Sequence, residues 1–311
     1  MLNYGHTVTA RTARTLLDLA KIMLPIMILV RIGESFGLSA IIGSVLEPVM
    51  QFVGLPGETG LIWAIGILTG MYGALAALLS MTSALDISVA QLSILASMIL
   101  FAHGLPIEQA IVKKVGGSFW ATTVLRVACA IAYGLLVHLM CDTVGVLQQP
   151  VDLSLFALPQ VEQGWLAWAY STARTFLMLF AILLFLLVAI DGLKRIGAFE
   201  AIVNLVAPLG RLLNIDRRLM PLTVTGMLLG LSYGSGLLMD EMRDKPADSQ
   251  SLFPPLALLS ISHGLIEDTI VMMALGADFW IVFAGKLVFS CAVIWFLNLI
   301  INSTKKTRPA V

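Results

Sequence analysis

The two halves of this chain match each other at a constant offset of 160 residues, and a chain built twice must fold as two copies of one unit. Thr12-Ala13-Arg14-Thr15 aligns with Thr172-Ala173-Arg174-Thr175, and Pro48 with Pro208. Gly66 and Gly70 align with Gly226 and Gly230, and His103-Gly104-Leu105 with His263-Gly264-Leu265. Phe119-Trp120 aligns with Phe279-Trp280, Arg126 with Lys286, and Tyr72-Gly73 with Tyr233-Gly234 after a slip of one residue. The reading is a first repeat over 1–142, an inter-repeat loop over 143–165 with Pro150 and Pro159, and a second repeat over 166–311.

What surrounds those copies is set by hydropathy. The 311 residues are 59% hydrophobic and 12% charged, against about 25% charged in an average soluble domain. The fold class expected is therefore an all-α integral membrane protein. Apolar runs near 15–33, 60–82, 87–104, 118–141, 166–190, 219–239, 251–265 and 278–302 are candidates to span roughly 30 Å of hydrocarbon. Stretches 38–53 and 197–212 alternate apolar and polar residues at helical spacing and read as interfacial amphipathic helices. Nineteen basic and nineteen acidic residues cancel, which argues against nucleic acid as a partner. Cys129, Cys141 and Cys291 lack metal-ligand spacing and read as small core residues. Residues 1–10 carry no signal-peptide pattern, so insertion is expected to rely on the first apolar helix. No phosphate-binding G-x-x-x-x-G-K-[ST] loop is present for a nucleotide-driven motor.

Counting basic residues separates parallel from inverted copies. If all eight runs cross, Lys and Arg divide almost evenly between the two sides. If one run per half, within 60–104 and 219–265, is a re-entrant hairpin or a broken helix, each half crosses three times and the copies are inverted. One side then holds thirteen basic residues, and the other keeps Arg31, Arg174, Arg243 and Lys245. That is the cytoplasmic excess of a real topology. The expectation is two inverted-topology repeats, each with about three crossings, a re-entrant or broken helix and an interfacial helix. Both termini would lie in the cytoplasm, in a bacterial-type inner (plasma) membrane.

Gly70 and Gly73 punctuate one such segment, and Gly230, Gly234 and Gly236 its twin, while Pro254-Pro255 interrupts the run that starts at 251. Glycine and proline at matching places of two halves point to a midplane binding site; the glycines alone are equally accounted for by close helix packing. Histidines and carboxylates gather beside them. His103 and His263 lie five residues before Glu108 and Asp268, and Glu267 stands four after His263, on one face if the helix continues. Such groups suit a proton relay or a cation site; the alternative is a histidine capping a helix end onto the following turn. Tyr72, Ser232 and Tyr233 flank the same breaks. No H-E-x-x-H spacing or neighbouring cysteine is present, so a metal site is the weaker reading, and no cofactor is expected. Arg126 and Lys286 fall six residues after their tryptophans, about 9 Å deeper. In inverted copies they would converge, as internal counter-ions for Glu267 and Asp268 or as an attraction for an anionic solute.

The run Gly226-Met227-Leu228-Leu229-Gly230-Leu231-Ser232-Tyr233-Gly234, the stretch Ser262-His263-Gly264-Leu265-Ile266-Glu267-Asp268-Thr269 and their first-half echoes resemble the gate or "nucleoside recognition" membrane family. Related gate segments occur in spore maturation membrane proteins, in the membrane part of ferrous-iron permeases and in concentrative nucleoside transporters. The resemblance covers most of both halves and implies a gated, repeat-built membrane pathway. It transfers no substrate. No stretch matches the nucleoside-contacting hairpin tips, and no GTPase domain is attached.

The function expected is a secondary transporter moving a small polar solute, anionic or nucleoside-like, with proton coupling through His103 and His263. A non-transport membrane scaffold or partner subunit and a divalent metal permease are the alternatives. An enzyme is not expected, because no nucleophile–base spacing is recognisable. The expected partners are a small solute or ion and the lipid bilayer, with a homo-oligomer left open.

Overall fold

A computed structural model describes residues 2–82, 85–153, 156, 164–197, 201, 204, 210, 213, 215–244 and 249–306, with some side chains inside these ranges, including those of 2–11, 232 and 233, not described. Among the described residues the chain is helical with no strand. The first repeat comprises α1 (Leu2–Glu34), α2 (Leu38–Phe52), α3 (Thr59–Thr69), α4 (Met71–Met81), α5 (Val89–Phe101), α6 (Leu105–Lys114) and α7 (Phe119–Val144). The second comprises α8 (Gly164–Arg195), α9 (Leu219–Leu229), α10 (Leu231–Asp244), α11 (Ser249–Ser262), α12 (Glu267–Ala274), a π-helical segment over Trp280–Gly285, and α13 (Lys286–Lys306). Moved by the 160-residue offset, each described element of the second repeat falls on its twin in the first. The amphipathic stretch 197–212 lies mostly outside the described residues; its twin is α2, with Ile41, Val45 and Phe52 exposed and Met50 buried.

Sequence spacing left open which run of each half turns back, and the packing decides it. At Gly70 the backbone takes φ 105° and ψ 179° and the helix ends. A Cβ on Gly66 would lie 2.9 Å from that of Ala74, each four residues from the turn. Residues eight apart on a continuous helix would stand about 12 Å apart, so α3 and α4 are the two arms of a hairpin. The twin hairpin turns at Gly230 (φ 103°). There a Cβ on Gly234 would come within 2.4 Å of Gly226 Cα, so only glycine allows the arms this close. Gly73 packs the same way, against Thr69.

The next run in each half is long and apolar enough to cross, although broken. Val89–Lys114 and Leu252–Ala274 are long and apolar enough to span, as are Phe119–Val144 and Trp280–Ile300. The breaks fall at Gly104 (φ 56°) and Gly264 (φ 64°). Pro254 and Pro255 do not break anything: α11 runs through both. They stand near its start, where each missing N–H deprives only a carbonyl of the first turn. Gly236 is likewise no hinge, since it sits within α10 with open space around it. Each half thus holds two long helices, one hairpin and one broken crossing among its described residues, in an all-α membrane protein of two inverted-topology repeats.

Outside the apolar core, Asp216 opens the turn before α9. The Arg218 backbone N–H and guanidinium both bond its carboxylate and hold it below the usual range.

Candidate functional site at the hairpin tips

The tips of both hairpins and the breaks of both crossings meet. Gly104 N–H donates to Gly66 O (2.9 Å), and on the other side Leu265 N–H donates to Met227 O (2.9 Å), one residue out of register. Together they line a partly open cavity of about 300 Å³ bounded by Gly70, Tyr72, His103, Glu108, Gly230, His263, Gly264, Glu267 and Asp268, with Met71, Leu228 and Leu231 as its apolar wall.

His103 and His263 end α5 and α11 and meet across the pseudo-two-fold, Nε2 to Nε2, at 3.2 Å. They are 4% and 3% exposed. The second nitrogen of each ring folds back on its own helix, His103 Nδ1 to Ile99 O (2.8 Å) and His263 Nδ1 to Ser260 O (2.9 Å). The turn bonded is the preceding one, not the following one as a helix-start cap would have it. A carbonyl accepts only, so each Nδ1 donates to its own helix, and the Nε2 of each ring is the nitrogen turned toward the other imidazole and Glu108. Glu108 Oε1 completes a triangle, 3.3 Å from His103 Nε2 and 3.2 Å from His263 Nε2.

The helix assumed between His263 and Glu267 is interrupted by Gly264, and the two do not pair. Glu267 instead accepts a hydrogen bond from the Tyr72 hydroxyl (2.7 Å), which ties one hairpin to the opposite repeat. Asp268 Oδ2 lies 3.8 Å from His103 Nε2. Glu108, Glu267 and Asp268 all stand in the first turns of α6 and α12, where the positive end of the helix dipole favours carboxylates.

Arg126 and Lys286 are both fully buried and do not behave alike. Arg126 donates from Nε to Phe101 O (2.7 Å), from Nη2 to His103 O (2.9 Å) and from Nη1 to Glu108. It therefore satisfies carbonyls freed by the break in α5 and serves as the counter-ion of Glu108. Lys286 Nζ has no hydrogen-bond partner and lies 5.5 Å from the centre of the Phe101 ring. Two causes combine. An ammonium cannot fork as a guanidinium does, and the π-helical turn before Lys286 rotates it by roughly 100° from the regular helical position. Tyr133 marks that turn, donating to Ile281 O (2.7 Å).

Sequence spacing missed the carbonyls that fix the imidazole tautomers. It also missed Gln109, which accepts from Thr122 and reaches Ser260 Oγ at 3.5 Å. A buried amide directly after Glu108 was the available signal. The side chains of Ser232 and Tyr233 lie outside the described residues. Asp18 and Lys21 form an exposed ion pair (2.7 Å), and Arg31 stacks on Trp165 and Trp168.

No family model and no solved structure matches the chain. It is similar to the uncharacterized membrane protein YvoD of Bacillus subtilis (strain 168), with 27% identity over 269 residues, 86% of this chain and 85% of that protein.

Proposed function

We propose that the protein is a secondary transporter of the inner membrane whose cargo or coupling ion is a cation bound between the two hairpin tips. One observation carries the reading: both re-entrant tips and both helix breaks converge on one cavity whose lining carries three carboxylates and two imidazoles and no Lys or Arg. Re-entrant or broken segments at the interface of inverted repeats are how many transporters build a midplane site, and rocking of one repeat against the other exposes it alternately. The charge of the lining favours a cation over the anionic or nucleoside-like solute that Arg126 and Lys286 suggested, because Arg126 already serves Glu108 and neither cation lines the cavity. A scaffold would gain nothing from burying so many titratable groups.

The hairpin assignment strengthens the orientation. With 219–244 returning to the side it left, Arg243 joins the thirteen basic residues of the majority side, which is the cytoplasmic side and carries both termini.

Alternating access is tested with single cysteines at Met71 and Leu231 in a chain whose Cys129, Cys141 and Cys291 are replaced. Each is expected to react with an impermeant thiol reagent from either face of oriented vesicles. Reaction from one face alone at both positions would overturn the transport reading.

A further inference from the structure

We propose that the cation held at this site is a divalent late first-row transition metal, chelated by His103 Nε2, His263 Nε2 and Glu108 Oε1. The proposal rests on the transport reading for the metal's role as cargo or coupling ion, and on geometry alone for the binding.

Three atoms that can each ligate a metal converge with edges of 3.2, 3.2 and 3.3 Å. Ile99 O and Ser260 O accept from the Nδ1 side of the rings and aim both Nε2 atoms inward, where the neutral rings present lone pairs to a metal. With both rings neutral, a cation among the three atoms is what holds them at this spacing. Bonds of about 2.0–2.1 Å in a tetrahedral shell place ligand atoms about 3.3 Å apart, so the triangle already has the edge length of one tetrahedral face. Arg126 holds the other oxygen of Glu108 and the carbonyls hold the imidazoles, the outer partners that orient metal ligands. The fourth position faces the cavity, where Asp268 Oδ2 stands 3.8 Å from His103 Nε2. Two nitrogens and one oxygen exclude magnesium and calcium, which take oxygen ligands, and select zinc, cobalt, nickel or ferrous iron.

The imidazoles come from equivalent positions of the two repeats, whereas Glu108 comes from the first repeat alone. Relative motion of the repeats therefore separates the ligands, which gives a route for release. His138, in a separate recess with Asp86, Cys141 and Asp142, is a natural internal control.

The test uses the full chain purified in detergent and titrated with cobalt(II) chloride. One equivalent is expected to bind, with the intense visible bands of four-coordinate cobalt, and to be displaced by zinc. His263→Ala and His103→Ala should weaken binding at least tenfold, while His138→Ala leaves it unchanged. His263→Cys keeps a ligand at the position and should add a thiolate-to-cobalt charge-transfer band, a gain of signal that a misfolded chain does not give. Absence of stoichiometric cobalt binding by the unaltered chain overturns the proposal, and a shared proton would then be what reconciles the lone pairs. Binding lost in His138→Ala and kept in His263→Ala overturns it equally. If cobalt fails to bind while the cysteines at Met71 and Leu231 react from both faces, the transport reading stands with another cargo. If cobalt binds while those cysteines react from one face only, the site stands without transport.

Discussion

Arg126 uses every edge of its guanidinium on partners, two of them carbonyls that the broken helix α5 leaves without N–H donors. Removing one side of a buried ion pair costs about 3–5 kcal/mol, because the other charge stays behind. Arg126→Met should therefore lower the melting temperature sharply in detergent, measured by intrinsic fluorescence. Lys286→Met, at the equivalent position, deletes an ammonium with no hydrogen-bond partner and should leave the melting temperature unchanged or raise it. Equal losses in the two variants would show that Lys286 has a partner in the folded chain. The sequence set these two residues at equivalent positions of the two repeats and could not separate their roles. A π-helical turn changes rotation without changing the count of residues, so an alignment at constant offset does not register it. The imidazoles were legible as a pair for the opposite reason: a residue that meets its own counterpart across a two-fold axis has the same sequence signature in both halves.

Hairpins and breaks are properties of whole elements, and glycine reports them unevenly. Gly70 and Gly230 adopt a backbone that L side chains rarely take, and Gly226 and Gly234 touch backbone to backbone. Gly236, two residues on, faces open space in a regular helix. Gly226→Ala forces the arms of the second hairpin apart and should cost about 1–3 kcal/mol, the usual cost of overpacking. Gly236→Ala should stabilise by about 0.5–1 kcal/mol through helix propensity alone. Chemical or thermal denaturation of the two variants side by side checks both, and a stabilised Gly226→Ala would contradict the hairpin. In the sequence all of these were simply glycines in an apolar run. The contacts that distinguish them lie across the turn, and no local pattern carries that information. Pro254 and Pro255 misled in the same way, because proline breaks a helix only where the carbonyls it deprives have no other recourse.

At the scale of the molecule, inversion rests on an odd number of crossings per repeat, and that number depends on which run turns back. Hydropathy could not decide it: 59–81 and 89–114 are comparably apolar, and both are interrupted by glycine. Packing decides it, because the arms on either side of Gly70 touch whereas α5 and α6 extend apart as one span. The consequence is a specific sidedness. In the proposed topology the ends of the first broken crossing lie on opposite faces, the second hairpin begins and ends on one face, and the majority of basic residues shares it. Single cysteines at Lys113, Arg243 and Lys306 should therefore react with an impermeant reagent from the cytoplasmic face. One at Val146, exposed beyond the end of α7, should react from the opposite face. Lys113 and Lys306 reacting from opposite faces would require parallel halves and would separate the two imidazoles from a common two-fold. Arg243 reacting together with Val146 would mean that 219–244 crosses the bilayer, and the second hairpin tip could not then reach the cavity that Gly70 lines.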